Sequence, residues 1–250
     1  MQTNSFQNSV VKELIRQLLV NKVVDHFGIR RKISCYTLPG DSLSFETQLY
    51  SQYKSNLTLE GVERKKAVYE RAKRMITQRE LPMTLHRAED RDFWEGTTDS
   101  QFDMLWLDYC AGWNEFQEKT LEEILSENRL KFTNGNPLLA ITISHGYGFD
   151  KIENIKSEVY DLLTSARERD HNDKAYLVGI PRRFNKLARQ YGLTFVPQTV
   201  LRYRDSTRAK HAIPMFLFVF EVFQGKVKFN DTKIAAMDLS AGYSSTLKLH

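Results

Sequence analysis

Five apolar or β-branched runs in this 250-residue chain end in residues that can do chemistry. The first closes on Leu38-Pro39-Gly40-Asp41-Ser42, where glycine lets the backbone approach a ligand with no Cβ in the way. The second closes on Gly61-Val62-Glu63-Arg64 and the third on Arg87-Ala88-Glu89-Asp90. The fourth closes on Asp108-Tyr109-Cys110-Ala111-Gly112-Trp113 and the fifth on Ser144-His145-Gly146-Tyr147-Gly148. Glu63 follows Gly40 by 23 residues, near the roughly 20 that separate a glycine turn from a ribose-binding acid. A carboxylate there can accept two charge-assisted hydrogen bonds from a diol, each about 1.5–3 kcal/mol. Tyr109 can stack on a base or sugar, and His145 can take a proton near an unperturbed pKa of about 6.5. The plainer readings are a surface Glu63 opening a solvated helix, a solvated acidic turn at Glu89, Asp90 and Asp92, a buried Tyr109 and a structural His145.

A second kind of chemistry sits in the basic residues. Arg64, Lys65 and Lys66 form one cluster, and Arg71, Lys73 and Arg74 a second. Arg182, Arg183, Lys186 and Arg189 form a third, and Arg202, Arg204, Arg208 and Lys210 a fourth. Between Pro181 and Pro214 there are eight Lys or Arg residues against the single acid Asp205, a local imbalance larger than the net +5 of the whole chain. Tyr191, Tyr203 and His211 are interleaved with them. Cations beside accessible aromatics suit single-stranded nucleic acid, through phosphate pairing and base stacking. The alternative is a solvated helix face and hairpin loop.

These residues need elements to hold them. Val10, Val11, Leu14, Ile15, Leu18 and Leu19 recur at helical spacing and predict an opening amphipathic helix. Strands are predicted at 32–38, 57–62, 83–86, 102–107, 138–143, 195–203 and 215–223. Helical spacing recurs from Val68 to Ile76 and from Ile152 to Ala166. Another helix follows the fourth strand, with Asn114 and Gln117 at capping-box spacing. Pro181 starts a further helix and Gly192 stops it. Ile33, Leu57, Met83 and Met104 fall 24, 26 and 21 residues apart, the rhythm of strand–helix units in a parallel sheet. The last two strands have no helix between them and predict an antiparallel pair. The expected architecture is therefore α/β: a doubly wound, mostly parallel seven-stranded sheet with one antiparallel strand near an edge and helices on both faces. Residues 1–31 would pack a helix on the core, 32–225 form the domain and 226–250 a tail without recognisable chemistry.

In such a sheet the ligand lies beyond the carboxyl ends of the strands. The order of motifs there, over roughly Lys32 to Phe223, resembles the class I S-adenosylmethionine-dependent methyltransferases. The resemblance implies S-adenosylmethionine as cofactor. It assigns Leu38, Pro39 and Gly40 to the turn beside it, Glu63 to the ribose hydroxyls, and Ala88 and Glu89 to the flanks of the adenine. Asp108 and Tyr109 would face the reacting methyl, Asp108 positioning or deprotonating the acceptor. The substrate implied with the basic C-terminal half is nucleic acid, RNA over DNA. The turn keeps one glycine, and Tyr36 or Thr37 stands where that family has an acid, so the alternative is a non-catalytic member of the fold that binds RNA. A ribose-hydroxyl tetrad would draw on Lys32, Asp108 and Glu221, but the fifth strand ends in Ser144-His145 and lacks its second lysine.

Composition sets the outer bounds. A 41% hydrophobic and 27% charged chain is that of a folded globular protein, with neither repeats nor low-complexity tracts. Cys35 and Cys110 are too few for a disulfide framework or a cysteine-rich zinc site, and no metal is expected. The longest apolar run, Met215 to Phe223, is strand-length and holds Glu221, far short of the roughly 18–20 residues of a membrane span. MQTNSFQNS at the start has no basic region leading into an apolar run, so the expected location is cytoplasmic.

Overall fold

A computed structural model describes residues 10–96, 99–109, 111–144, 175–204 and 214–228, together with the backbone of 236–238 and 245–247. Its first five strands are β1 (Ile33–Thr37), β2 (Leu57–Val62), β3 (Met83–His86), β4 (Met104–Asp108) and β5 (Leu138–Ser144). They run parallel in the order β3-β2-β1-β4-β5. Strands β6 (Leu193–Arg204) and β7 (Pro214–Gln224) then add as an antiparallel pair, with β7 inserted between β5 and β6. These are the seven expected strands, and β7 is the reversed one. The tail departs from expectation: three-residue strands β8 (Ala236–Asp238) and β9 (Ser245–Leu247) extend the sheet beyond β6 to nine strands. They are too short to show periodicity in sequence.

Strand alternation divides the core between two faces. Met104 and Trp106 of β4 lie with Ile33, Cys35 and Ala140 under α1 (Val10–Phe27) and α2 (Ser44–Tyr53). Leu105 and Leu107 lie with Tyr36, Leu139 and Ile141 under α4 (Asp90–Glu95), α5 (Glu115–Ser126) and α6 (Ile180–Gln190). All seven residues of β5 are buried, as expected of a strand covered on both faces. Each such aliphatic side chain contributes about 1.5–3 kcal/mol, so the sheet is anchored chiefly at its central strands β4, β5 and β7. Helix α3 (Lys66–Gln78) buries only Ala72, against Leu43 and Leu81.

Local signals act where expected. The Asn114 side chain accepts from Phe116 N at 2.8 Å, and Gln117 Oε1 accepts from Asn114 N at 3.0 Å, closing the capping box of α5. Gly192 ends α6 at φ +72°, a left-handed conformation that suits glycine. The helix predicted at 152–166 lies outside the described residues. Helices α2 and α4 lacked a clear periodic signal. Among the described residues no helix is long and apolar enough to cross a membrane.

One glycine sets the spacing of two strand ends. A Cβ on Gly61 would sit 2.6 Å from Thr37 O and 3.1 Å from Pro39 Cδ. We expect Gly61→Ala to cost about 1–3 kcal/mol through overpacking, read as a lower urea midpoint with an unchanged slope.

Candidate active site

The carboxyl edge gathers the ends of β1, β2, β3 and β4. After β1, Leu38 N donates to Trp106 O at 3.3 Å, and Pro39 is buried. Among the described residues the N–H groups of Gly40, Asp41 and Ser42 donate to no protein acceptor. The turn closes on Leu43, buried at φ +47° where α2 begins. A non-glycine residue there is strained by about 1–2 kcal/mol, offset by packing against Ala72 and Leu81. Two arginines of the α3 region secure this turn. Arg71 Nε pairs with Asp41 Oδ2 at 2.9 Å. Arg79 donates to Ser42 O at 2.9 Å and to Thr47 Oγ1 at 2.7 Å. Arg71, counted in a basic cluster from sequence, is therefore an internal tie.

Glu63 follows β2 directly, its N–H donating to His86 O at 3.0 Å. Its carboxylate is half-buried, and Oε1 accepts from Lys65 N at 2.7 Å, at the start of α3. Oε2 remains for a second donor. Burial, more than any neighbour, pushes this carboxyl above the ordinary carboxylate range, against the pull of Lys65 and Arg64. Ala88 packs against the core on the α4 side. Glu89 pairs with Arg64 at 3.2 Å, both side chains well exposed, so the pair contributes little to stability.

Asp90 is not part of a solvated turn. It is buried and accepts from Tyr36 Oη at 2.6 Å, Tyr109 Oη at 2.6 Å and Trp94 Nε1 at 2.9 Å. Desolvation pushes its carboxyl up while the three donors pull it back. The Tyr109 hydroxyl is thus engaged with Asp90, and its ring is buried beside Trp113. Burial first, and Asp90 second, hold the Tyr36 and Tyr109 phenols well above their ordinary pKa. A raised folded pKa gives stability that is complete below the unfolded pKa, about 10 for tyrosine, and is lost as pH rises beyond it. Absorbance titration should therefore show exposed tyrosines ionising near pH 10, with Tyr36 and Tyr109 following only on unfolding.

Asp108 ends β4 half-exposed, opposite Thr142 of β5. Glu46 of α2 is buried, and desolvation pushes its carboxyl up against the pull of a backbone N–H, Thr37 and Arg16, with Asp108 the smallest contribution. Sequence reasoning missed Glu46, because only the tertiary fold buries it. The hydroxyl-activating tetrad does not assemble: Lys32 precedes β1, and Glu221 lies opposite Leu138 at the start of β5. Both are at the amino edge, a full strand length from Asp108. His145 and Cys110 lie outside the described residues; Cys35 is buried.

The basic groups separate along α6. Tyr176 stacks on Phe216 with ring centroids 4.6 Å apart, near the start of β7, so α6 starts at the carboxyl edge. Arg182 and Arg183 occupy its first turn, and Arg202 and Arg204 end β6 on the face that α6 covers. Arg183 is paired with Glu118, which also accepts from Trp113 Nε1. Lys186 and Arg189 lie about 6 and 10 Å further along the helix axis, toward the amino edge. Arg208, Lys210 and His211 lie outside the described residues.

No protein-family model matches this chain, and no curated protein does. Solved structures do match. A Galdieria sulphuraria protein described as a sarcosine dimethylglycine methyltransferase aligns with TM-score 0.54 and 14% identity, over 85% of each chain. A Listeria monocytogenes protein described as a class I S-adenosylmethionine-dependent methyltransferase aligns with TM-score 0.55 and 10% identity. That alignment covers 90% of this chain and 64% of the Listeria protein. At such identities the likeness is one of fold, and the fold is the Rossmann-like α/β fold of class I methyltransferases.

Proposed function

We propose that this chain binds S-adenosylmethionine across the ends of β1, β2 and β4 and methylates single-stranded nucleic acid, RNA in preference to DNA. The reading is carried by Glu63, a half-buried carboxylate at the end of β2 with one oxygen bonded to Lys65 N and the other available. That pair of acceptor oxygens suits the two hydroxyl donors of a ribose diol. The N–H groups of Gly40, Asp41 and Ser42, in the turn before α2, suit the carboxylate of the cofactor's amino-acid end. Ala88 would flank the adenine with Glu89 held aside by Arg64. When bound, the cofactor supplies a methyl group on a sulfonium that needs no further activation.

The protein's share is alignment, which can supply most of the rate in a closed site. Asp108 would orient the acceptor and take its proton. Tyr109, its hydroxyl on Asp90, is a positioning residue that fixes the chain beyond Asp108. Arg182, Arg202 and Arg204 would carry phosphates past the edge. The test is transfer of labelled methyl to RNA and to denatured DNA, with affinity measured against salt. Replacing Arg182, Arg202 and Arg204 together by Gln should flatten the salt slope by about 2, since each single-strand phosphate contact contributes about 0.7. An unchanged slope would remove these arginines from the interface.

The second reading, an RNA-binding protein without catalysis, is favoured by the turn itself: Pro39 has no N–H, and Leu43 occupies the left-handed position. RNA binding with no cofactor binding and no transfer would select it.

A further inference from the structure

The opposite edge of the sheet carries a polar cleft, of about 400 Å³, lined by Arg31, Lys32, Ile33, Ser34, Thr58, Lys131 and Asn134. Its floor is organised by Asp103, which is fully buried just before β4. The Asp103 carboxylate accepts from Ser34 N at 2.8 Å, Ser34 Oγ at 3.0 Å, Lys131 Nζ at 3.4 Å and Asn134 Nδ2 at 3.1 Å. Three of these contacts fall on Oδ2 and one on Oδ1, and Lys131 already balances the charge, so the acid offers little to a further cation. It also ties the 131–135 segment back over the start of β1. Gly135, at φ +105°, makes that return possible, and Arg31 passes 3.7 Å from its Cβ position.

The cations exceed this one carboxylate. Lys131 spends one of its three donors on Asp103. Among the described residues neither Arg31 nor Lys32 forms an ion pair, and both are exposed. Thr58, near the start of β2, is exposed here. The cleft therefore combines three cations, two hydroxyls and a carboxamide, and it is within the range of about 300–1,000 Å³ usual for small-ligand sites.

We propose that this cleft binds a phosphate group, with Arg31, Lys32 and Lys131 neutralising its charge and the Thr58 hydroxyl donating a hydrogen bond to it. Arg can engage two phosphate oxygens at once, whereas the lysines act as point charges. The site is independent of the cofactor edge, which lies at the other end of the same strands.

The test follows the amide resonances of Ser34, Thr58 and Asn134 during titration with inorganic phosphate and, separately, with a ribonucleoside 5′-monophosphate. Saturable shifts with a midpoint on the order of 1 mM are expected. They should weaken at least about tenfold in the Arg31→Ala/Lys32→Ala double variant, since charge-assisted bonds are the strong ones. Both side chains are exposed, so folding should be spared, and an unchanged thermal midpoint checks this. Absence of saturable shifts, equal shifts with chloride, or a double variant that titrates like the parent would each overturn the proposal. A short single-stranded RNA distinguishes the sources of phosphate. Binding far tighter than the mononucleotide, lost in the double variant, supports a nucleic-acid strand; equal binding supports a free phosphorylated ligand.

Discussion

Glu63→Ala is expected to weaken binding of S-adenosylmethionine and S-adenosylhomocysteine on the order of a hundredfold. The carboxylate would make one or two charge-assisted hydrogen bonds to a ribose diol, each about 1.5–3 kcal/mol, and about 1.4 kcal/mol is tenfold in affinity. Equilibrium dialysis against labelled S-adenosylhomocysteine reads the effect. Because Oε1 also accepts from Lys65 N, the alanine variant loosens the start of α3 as well. Glu63→Gln separates the two contributions, since it keeps an acceptor for Lys65 while removing the charge. Acidification provides an independent handle. Burial raises the Glu63 pKa, so the carboxylate is lost at a higher pH than an ordinary one. A raised carboxylate pKa means that the folded state takes up this proton more readily than the unfolded state, so its protonation does not weaken the fold. Affinity should therefore fall with pH before stability does. An affinity independent of both the substitution and acid would exclude Glu63 from the site.

Asp90→Ala is expected to be the most damaging single change to stability. It leaves Tyr36 Oη, Tyr109 Oη and Trp94 Nε1 without their acceptor inside the core. Each orphaned buried donor costs about 1–3 kcal/mol, giving roughly 3–5 kcal/mol after partial relaxation, a large part of the 5–15 kcal/mol typical of a whole fold. For a chain of this size that lowers the thermal midpoint by roughly 6–20 °C. Asp90→Asn keeps the shape and one acceptor and should lose about half as much. Asp90→Ala that unfolds like the parent would show that the network stores no stability. The consequence reaches the site, because Tyr109 follows Asp108 directly and its ring and hydroxyl fix where the chain leaves β4.

The strand ends were legible because they combine an apolar run with a polar break, and the run over β5 reads directly as a strand buried on both faces. The capping box of α5 and the glycine stop of α6 were legible for the same reason: each is local. Contacts between distant residues were not. Asp90 reads as acidic turn material beside Glu89 and Asp92, yet its donors arrive from 54, 19 and 4 residues away. Arg71 reads as part of a basic patch, yet it holds Asp41 across 30 residues. Glu46 gives no signal at all, since a carboxylate in the first turn of a helix is ordinarily solvated. The same limit applied to Lys32 and Glu221. Their positions along the chain suggested company with Asp108, and the register of β1 and β5 sends them to the other end of the sheet.

Whether the carboxyl edge holds the cofactor is tested most directly by calorimetric titration of the purified chain with S-adenosylmethionine and S-adenosylhomocysteine. Stoichiometric binding with a dissociation constant on the order of micromolar, lost in Glu63→Ala, is the expected result. A folded protein that releases no heat with either compound, and still retards RNA in a gel, would contradict it and leave a methyltransferase fold used for binding alone.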